Sequence, residues 1–164
     1  MFRHLLVRTA GESHGRELTG LVEGLPAGVP VRPKAVEALM GLRQTGVGSG
    51  PRMKLEADRL LVTAGVRHGV TLGSPLAFRI TNKDSSIERL PNLAAPRPGH
   101  ADLAGILRRG DDDVRAVLER ASARETAVRV AAAGLVMPLL DAAGITVLGH
   151  VTELGGVRAR RPRP

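Results

Sequence analysis

Four short stretches rich in apolar residues predict strands, and the last two of them show the alternation of apolar and polar residues that is typical of half-buried strands. The four stretches are Leu5 to Thr9, Leu18 to Leu25, Leu60 to Val66 and Pro75 to Thr81. Glycines inside the second stretch predict a bulge or the close approach of another chain segment. A glycine-containing turn between the last two stretches predicts that they form an antiparallel pair.

Two further stretches have the apolar spacing of helices. The first begins at Pro33, a residue suited to the first turn of a helix, and continues to about Leu42. The second runs from Ser122 to Ala143, and Ser122 followed by Glu125 predicts a capping box at its start. Pro138 should kink or end this helix because its ring clashes with the carbonyl group one turn earlier.

The remaining segments complete the order of elements. Ile145 to Leu154 predicts one more strand. Asn82 to Pro98 has little periodicity and three prolines, which predicts a long loop of the kind that more often carries function than merely connects. The strands and helices do not alternate as they do in parallel sheets. We therefore predict an α+β fold with a mostly antiparallel sheet backed by helices.

The composition indicates one globular domain with an aliphatic core. Of 164 residues, 43% are apolar, Trp and Tyr are absent, and Phe2 and Phe78 are the only aromatic residues besides histidine. The absence of cysteine excludes disulfides, thiolate metal sites and cysteine nucleophiles. No apolar run is long enough to cross a bilayer, and the first residues lack a signal-peptide pattern. We expect a cytoplasmic protein without a membrane partner.

A net charge of +8 and a pI of about 11.4 raise the alternative of nucleic-acid binding. Four of the arginines lie in the last seven residues, Arg158 to Pro164, and without them the net charge falls to +4. The other arginines stand singly beside glycines, which suits a small anionic substrate equally well. Aromatic side chains for base stacking are nearly absent. Nucleic-acid binding is therefore the disfavoured alternative.

Two histidines stand in turns where their imidazole groups can act on a ligand. His14 lies between Ser13 and Gly15 in a tight glycine turn, where it could donate a proton to an oxyanion. His100 follows a Pro-Gly turn and precedes Asp102, a carboxylate able to hold an imidazolium. The alternatives are a turn histidine that faces solvent and, for the second, a helix that begins near Asp102.

The start of the second predicted helix is surrounded by Arg120, Ser122 and Arg124. Backbone amides, a hydroxyl and guanidinium groups at such a place form a natural anion site. The alternative is a capping box flanked by surface arginines. No pair of histidines one helical turn apart and no carboxylate cluster in the sequence predicts a metal site.

Three segments, taken in order, resemble signature regions of the chorismate synthase family. They are Gly11-Glu12-Ser13-His14-Gly15, Arg97-Pro98-Gly99-His100-Ala101-Asp102 and Arg120-Ala121-Ser122-Ala123-Arg124-Glu125-Thr126-Ala127. Members of that family are more than twice this length and are built of two related halves, each an antiparallel sheet, with helices between them. The resemblance implies the N-terminal half of that β-α-β sandwich, with residues 1–154 as a half-domain and residues 155–164 as a basic, disordered tail.

The resemblance also implies an activity, that of a carbon–oxygen lyase of the shikimate pathway in aromatic amino acid biosynthesis. The reaction is the 1,4-anti elimination of phosphate from 5-enolpyruvylshikimate 3-phosphate to give chorismate. Its cofactor is reduced FMN, which is not consumed, and NADPH is the candidate reductant. By resemblance, His14 protonates the departing phosphate, His100 serves the protonation state of the reduced flavin, and Arg120, Ala121 and Ser122 contact FMN.

The glycine loop matches the family pattern less closely. The family pattern is approximately Arg-Arg-Gln-x-Gly-Tyr-Gly-Arg-Gly-x-Arg-Met, and this chain has Leu-Arg-Gln-Thr-Gly-Val-Gly-Ser-Gly-Pro-Arg-Met from Leu42 to Met53. Arg43 and Ser49 fall on cofactor-binding positions, and Ser49 replaces a cation that also helps to bind substrate. Losing such a charge-assisted contact costs about 1.5–3 kcal/mol. The resemblance gives three substrate-binding positions, which are Ser13, Arg52 and Arg124.

Half of a β-α-β sandwich exposes an apolar sheet or helix face. We therefore expect the chain to form a homo-oligomer or to need a second chain that supplies the other half. An alternative to the active enzyme is a remnant or interaction subunit that keeps the fold without catalysis. The serine at position 49, the valine at position 47 and the short length favour that alternative.

Overall fold

The computed structural model describes residues 5–45, 58–110 and 112–160. The strands are β1 (Leu6–Ala10), β2 (Glu17–Glu23), β3 (Ala27–Pro30), β4 (Leu60–Ala64), β5 (Val66–Arg67), β6 (Val70–Leu72), β7 (Leu76–Thr81), β8 (Glu153–Leu154) and β9 (Val157–Arg158). The helices are α1 (Pro33–Gln44), α2 (Asp102–Arg109), α3 (Arg115–Arg120) and α4 (Glu125–Ala142). A short 3-10 turn covers Ile87–Arg89.

The main sheet has four antiparallel strands in the order β1-β2-β7-β4. Three short strands form a second antiparallel sheet in the order β3-β6-β5, and β8 pairs with β9 in a separate hairpin. The structure confirms the predicted α+β fold with an antiparallel sheet backed by helices. It also confirms the four predicted strands of the main sheet, with ends that move by at most two residues, and the helix that begins at Pro33.

The core lies between one face of the main sheet and the helices α1 and α4. Alternate residues of β2 and β7 are buried there, and α4 covers them with mostly small residues, because small side chains let a helix approach a sheet closely. The buried sheet residues include Leu18, Val22, Leu76, Phe78 and Ile80, and the buried α4 residues are Ala127, Val128, Ala131, Ala132, Gly134 and Leu135.

Gly20 of β2 lies directly under the ring of Phe78 on β7. A Cβ atom built at Gly20 would be 2.2 Å from Cζ of that ring, a distance that real Cβ atoms do not reach. The glycine therefore gives the largest core side chain its space. This confirms the close approach predicted from the glycines in the second stretch.

The start of α4 differs from the prediction. The helix begins at Glu125, its N-cap residue is Arg124, and no side chain caps it. The predicted capping box of Ser122 and Glu125 is therefore wrong. Its two members have other partners: the Ser122 hydroxyl donates to Ser13 Oγ at 3.1 Å, and the Glu125 carboxylate binds Arg120 and Thr9. Contacts with Ser13 and Thr9, which are distant in sequence, have taken the place of the predicted capping bonds.

The end of α4 and the segment after it also differ in part. Pro138 lies inside α4 and does not end it, and the helix continues to Ala142. The predicted strand from Ile145 to Leu154 is wrong over most of its length, because only Glu153–Leu154 is a strand. Its partner β9 lies in the segment predicted to be a disordered tail. The division into residues 1–154 and 155–164 stays a prediction.

The predicted long loop after β7 is confirmed, apart from its single 3-10 turn. It leads to α2 and α3, two short helices that the apolar spacing did not predict. The helix start near Asp102, considered as an alternative, is confirmed, since Asp102 is the first residue of α2. In the part of the chain that the structure describes, no helix has both the length and the apolar character needed to cross a membrane.

Candidate functional site

The turn from Gly11 to Gly15 connects β1 to β2 and is held in place by Asn82. The buried Asn82 side chain donates to the carbonyl oxygens of Glu12 and Gly15, at 3.1 and 2.8 Å. Gly11 has a φ of +112°, and a Cβ atom there would lie 2.5 Å from the carbonyl oxygen of Glu17. This position therefore requires glycine, and the turn is fixed before any ligand binds.

His14 of this turn is held by Glu119, a residue of α3 whose side chain is fully buried. Glu119 Oε2 lies 2.8 Å from His14 Nδ1 and accepts the main-chain N–H of His14 at 2.9 Å. The carbonyl oxygen of Glu119 accepts the N–H of Ser13 at 3.0 Å. His14 Nε2 lies 3.8 Å from Asp84 Oδ2. One buried residue therefore fixes both the turn and the imidazole.

His100 is held by a second buried carboxylate, that of Asp102. Its Nδ1 hydrogen-bonds to Asp102 Oδ1, and Arg97 Nη2 is 3.1 and 3.2 Å from the two ring nitrogens. An atom equidistant from both nitrogens at this range lies over the face of the ring, because an in-plane position would overlap the ring carbons. The main-chain N–H and Nε of Arg97 both donate to Asp102 Oδ2 at 3.0 Å.

The ionisation of Asp102 follows from these contacts. Burial raises the pKa of the Asp102 carboxyl, but hydrogen bonds from the side chain and main chain of Arg97 and from His100 outweigh it. The net result is a pKa of about 2. Asp102 is therefore an ionised acceptor at neutral pH, as the sequence led us to expect of a carboxylate beside this histidine.

Arg120 is positioned by β1 and by the first turn of α4. Its Nη1 pairs with Glu125 Oε2, and its Nη2 donates to the carbonyl and hydroxyl oxygens of Thr9 at 3.0 and 2.9 Å. The Thr9 hydroxyl donates to Glu125 Oε1 at 2.5 Å, and Arg129 Nε donates to the same oxygen at 3.2 Å. Burial raises the pKa of Glu125, but the hydrogen bonds from Arg120, Thr9 and Arg129 prevail and lower it.

Arg43 and Arg124, which are far apart in sequence, meet at Asp58. The Asp58 side chain is 2% exposed, and Arg124 Nη1 lies 2.5 Å from its Oδ1. Arg43 Nη2 and Gln44 Nε2 donate to Oδ2 at 2.9 and 3.1 Å. Arg124 Nε also donates to Asn82 Oδ1 at 2.9 Å. Two guanidinium groups share one carboxylate, so the cluster retains a net positive charge.

An open groove of about 780 Å³ brings several of these residues to one surface. It is lined by His100, Arg120, Ala121, Ser122, Ala123, Glu125, Thr126 and Arg129. Two arginines and one glutamate give the lining a net charge of +1 with His100 neutral. Small side chains leave room for a flat ring, while the cations and the Ser122 hydroxyl can bind an anion.

The groove and its surroundings contain most of the residues singled out from the sequence. His100 lines it together with Arg120, Ala121 and Ser122, and Ser13 is joined to Ser122 by the hydroxyl hydrogen bond. Arg43 and Arg124 form the separate cluster on Asp58. Ser49 and Arg52 lie outside the described residues. The catalytic and binding roles of all these residues stay predictions.

Sequence reasoning missed the residues that hold the site in place. Asp58, Asn82, Glu119 and Glu125 are buried or half-buried polar side chains, and each contacts a residue predicted to act in the site. The described residues contain no cluster of three or more metal-ligating side chains. Glu125 was noticed only as half of a capping box. The other three follow no local pattern, because their partners are distant in sequence.

Comparison with known proteins gives a consistent result. The family model described as "Chorismate synthase" matches residues 5–163. Chorismate synthase of Listeria welshimeri is 50% identical over 169 residues, which cover 94% of this chain and 44% of that protein. The enzyme of Geobacillus kaustophilus is 48% identical over 167 residues, covering 93% of this chain and 43% of that protein. The chain therefore spans less than half the length of these relatives.

A solved structure agrees with the sequence matches. The structure titled "Crystal Structure of Chorismate Synthase" matches with a TM-score of 0.68 and 38% identity, covering 88% of this chain and 36% of that one. The same α+β arrangement is therefore present in both. Since the family model covers almost all of the sequence and the fold agrees, this chain belongs to the chorismate synthase family.

Proposed function

We propose that this chain supplies one part of a site that eliminates phosphate from 5-enolpyruvylshikimate 3-phosphate to give chorismate, with reduced FMN as the cofactor. The observation that carries the proposal is the groove that His100 shares with Arg120, Ala121 and Ser122. Ser122, which lines the groove, donates a hydrogen bond to Ser13, so the groove is connected to the turn that carries His14.

The groove suits the chemistry of FMN in two respects. Ala121 and Ala123 present little bulk, which leaves space for the flat ring system. Arg120 and Ser122 offer a charge and a hydroxyl donor for the phosphate group, or for polar atoms of the ring. Reduced FMN held by these residues would supply the electron density that assists loss of phosphate.

The remaining steps belong to side chains of this chain. His14 would transfer a proton from its imidazole to the departing phosphate, because its ring is fixed and still 23% exposed. His100 would hold or release a proton beside the flavin, with ionised Asp102 behind it. Arg52 and Arg124 would neutralise the anionic groups of the substrate, with Ser13 as a further contact, and Arg43 would stand on the cofactor side.

The site would be completed by a further chain. A second, apolar groove of about 690 Å³ runs along α4 and includes Leu5, Val7, Val136, Met137 and Leu140. An exposed apolar surface of this kind supports assembly with another copy or with a chain that supplies the other half. We place this assembly in the cytoplasm and propose NADPH as a reductant of the flavin, in keeping with the family.

The test is titration of the purified chain with FMN, with and without 5-enolpyruvylshikimate 3-phosphate. Flavin absorbance is the signal, since the chain has no Trp or Tyr. We expect binding and a spectral change on addition of substrate. Arg120→Ala should weaken FMN binding roughly ten- to a hundredfold, the usual effect of losing a charge-assisted hydrogen bond. Arg108→Ala, at an exposed position on α2, is the matched control.

The outcomes separate the competing functions. Chorismate formed by the chain under reducing conditions, alone or with a second chain carrying the other half, would support the enzyme. Absence of FMN binding at tens of micromolar, and of activity in both arrangements, would favour the remnant or interaction subunit. Binding to DNA or RNA that weakens steeply with salt and requires Arg158 to Pro164 would favour the nucleic-acid alternative.

A further inference from the structure

Glu119 is the most deeply buried charged side chain at the candidate site that has no role in the function proposed above. Its side chain is fully buried, although glutamate rarely lies at such positions without partners. It lies in α3, a helix of six residues that otherwise contributes only Arg120 to the site. A buried carboxylate is costly unless hydrogen bonds and positive charge surround it.

Its partners are concentrated on one segment of the chain. Oε2 accepts the main-chain N–H of His14 and lies 2.8 Å from His14 Nδ1. Oε1 faces Arg115 Nη1 at 3.5 Å. The main-chain carbonyl of Glu119 accepts the N–H of Ser13. Three contacts from one residue therefore determine where the turn stands and how the imidazole ring is rotated.

These contacts also determine which ring nitrogen carries the proton. Glu119 Oε2 already accepts the main-chain N–H of His14, and a carboxylate oxygen only accepts hydrogen bonds, so His14 Nδ1 is the donor at 2.8 Å. A neutral imidazole has one proton, so Nε2 is then the nitrogen with a lone pair. We propose that Glu119 is a positioning residue that holds His14 in the Nδ1–H tautomer and thereby makes Nε2 the atom that receives and delivers a proton.

The consequence for the reaction rests on the function proposed above. In that function Nε2 of His14 first takes up a proton from solvent, giving an imidazolium whose Nδ1–H stays on Glu119, and the Nε2 proton then passes to the departing phosphate and leaves the neutral ring behind. Without Glu119, the ring could rotate and the two tautomers would interchange, so that Nε2 would face the phosphate with its proton in only a fraction of molecules. A hydrogen bond to a charged group biases such a ratio by roughly ten- to a hundredfold.

The experiment measures the tautomer directly by long-range proton–nitrogen correlation of the imidazole rings in the purified chain. The signals of His14 are assigned by their loss in His14→Gln. We expect an Nδ1–H to Nε2–H ratio of at least about ten for His14 at a pH where the ring is neutral. In Glu119→Gln the acceptor at His14 Nδ1 is uncharged, so the ratio should fall about tenfold.

The matched control is Glu37→Gln, at a half-buried helical glutamate that accepts the main-chain N–H of Leu60 and does not touch His14. It should leave the ratio unchanged. If Glu119→Gln does not fold, Glu119→Asp serves instead, because it keeps the charge but withdraws the oxygens by one methylene group. A His14 ring in the Nε2–H tautomer, or an unchanged ratio in the folded variant, would overturn the inference.

These spectra need no substrate and no turnover, so they separate the inference from the proposed function. If the assembled protein forms chorismate, Glu119→Gln should lower kcat by about tenfold with little change in KM, because substrate contacts remain while the proton donor is misaligned. A chain that forms no chorismate but shows the expected tautomer would refute the proposed function and leave the role of Glu119 intact.

Discussion

His14 and His100 are exposed to nearly the same extent, 23% and 24% of their side chains, and each has Nδ1 against a fully buried carboxylate. The two carboxylates come from different distances along the chain. Asp102 is two residues from His100, whereas Glu119 is 105 residues from His14. The arrangement at His100 is therefore local to one loop. The arrangement at His14 exists only while α3 is packed against the turn from Gly11 to Gly15.

This difference predicts two kinds of sensitivity. A local pair should survive damage elsewhere in the fold, because both partners move together with their own loop. A pair between distant segments should be lost whenever either segment shifts. Substitutions that act on the packing around His14 should therefore change its NMR signals without affecting those of His100, and the reverse should hold for substitutions in the loop from Arg97 to Asp102.

Asn82→Ala should cause the largest loss of stability among these variants. It should also shift the NMR signals of His14 and leave those of His100 in place. It removes two hydrogen bonds to the His14 turn and the acceptor of Arg124 Nε. Removing partners of buried polar groups costs about 1–3 kcal/mol each, so we expect a loss of about 4 kcal/mol in the free energy of unfolding. Urea denaturation measures it.

The control for this substitution is Asn92→Ala, at an exposed asparagine of the same loop. It should change the free energy of unfolding by less than about 0.5 kcal/mol. The His14 signals should shift in Asn82→Ala while those of His100 stay in place. If the NMR signals of both histidines shift equally in an Asn82→Ala variant that still folds, then Asn82 influences the His100 region as well as the His14 turn.

Gly105→Ala should shift the NMR signals of His14 and His100 together, unlike the variants that act on one histidine alone. Gly105 lies in α2, and a Cβ atom there would be 2.3 Å from Val117 Cγ1 of α3. Overpacking costs about 1–3 kcal/mol. We expect a loss of about 2–3 kcal/mol, with shifts at both rings, because α2 begins with Asp102 and α3 carries Glu119. Thermal or urea unfolding gives the size of the loss.

The double variant Gly105→Ala with Val117→Ala tests the cause. Removing the two methyl groups of Val117 makes room for the new Cβ atom, so the double variant should be at least as stable as Gly105→Ala alone. If the double variant is less stable than Gly105→Ala, the new Cβ atom does not clash with Val117. The contact that couples α2 to α3 would then involve other residues.

Asp102→Asn should affect the His100 region alone, with a dependence on pH. The pKa of Asp102 is lowered from 3.8 to about 2 in the folded chain, so its ionised form stabilises the fold by about 2 kcal/mol above pH 4. This stabilisation is lost as the pH falls from 4 towards 2. The difference in unfolding free energy between the unaltered chain and Asp102→Asn should shrink over that range.

The control is Asp112→Asn, at an exposed aspartate between α2 and α3. It should change the free energy of unfolding at pH 7 by less than about 0.5 kcal/mol. Urea denaturation at several pH values provides both measurements. A difference for Asp102→Asn that stays constant from pH 7 to pH 2 would contradict a stabilising role for the ionised carboxylate.

The same contrast explains what the sequence could predict. The strands β4 and β7 were predictable because a two-residue alternation needs only neighbouring positions. The pairing of His100 with Asp102 was predictable for the same reason, since both lie in one turn. Ser122 and Glu125 show the opposite case. Their spacing fits a local capping box, but Ser13, Thr9 and Arg120 offer better partners that the spacing cannot reveal.

Glu119 and Asp58 could not be identified from the sequence for a related reason. Each is a single acidic residue among charged or apolar neighbours, and a charged residue on a short segment normally faces solvent. Only the packing of α3 against the turn, and of α1 and α4 near β4, shows that these two are buried acceptors. The prediction of a strand from Ile145 to Leu154 was wrong over most of its length because an apolar pattern alone does not supply a partner strand.

Arg97→Ala should have the smallest effect, because the arginine is 49% exposed and solvent weakens its pairing with Asp102. The hydrogen bond from Nε to Asp102 is lost, while the main-chain N–H of residue 97 still donates to the same oxygen. We expect a loss of about 1 kcal/mol in the free energy of unfolding, measured by urea denaturation. Arg97→Lys keeps the charge without the planar fork, and should recover only part of it. The ring of His100 should become more mobile while that of His14 is unchanged, since no contact of Glu119 involves this loop residue. Movement of the His14 signals in Arg97→Ala would show that the two carboxylates act on one connected site.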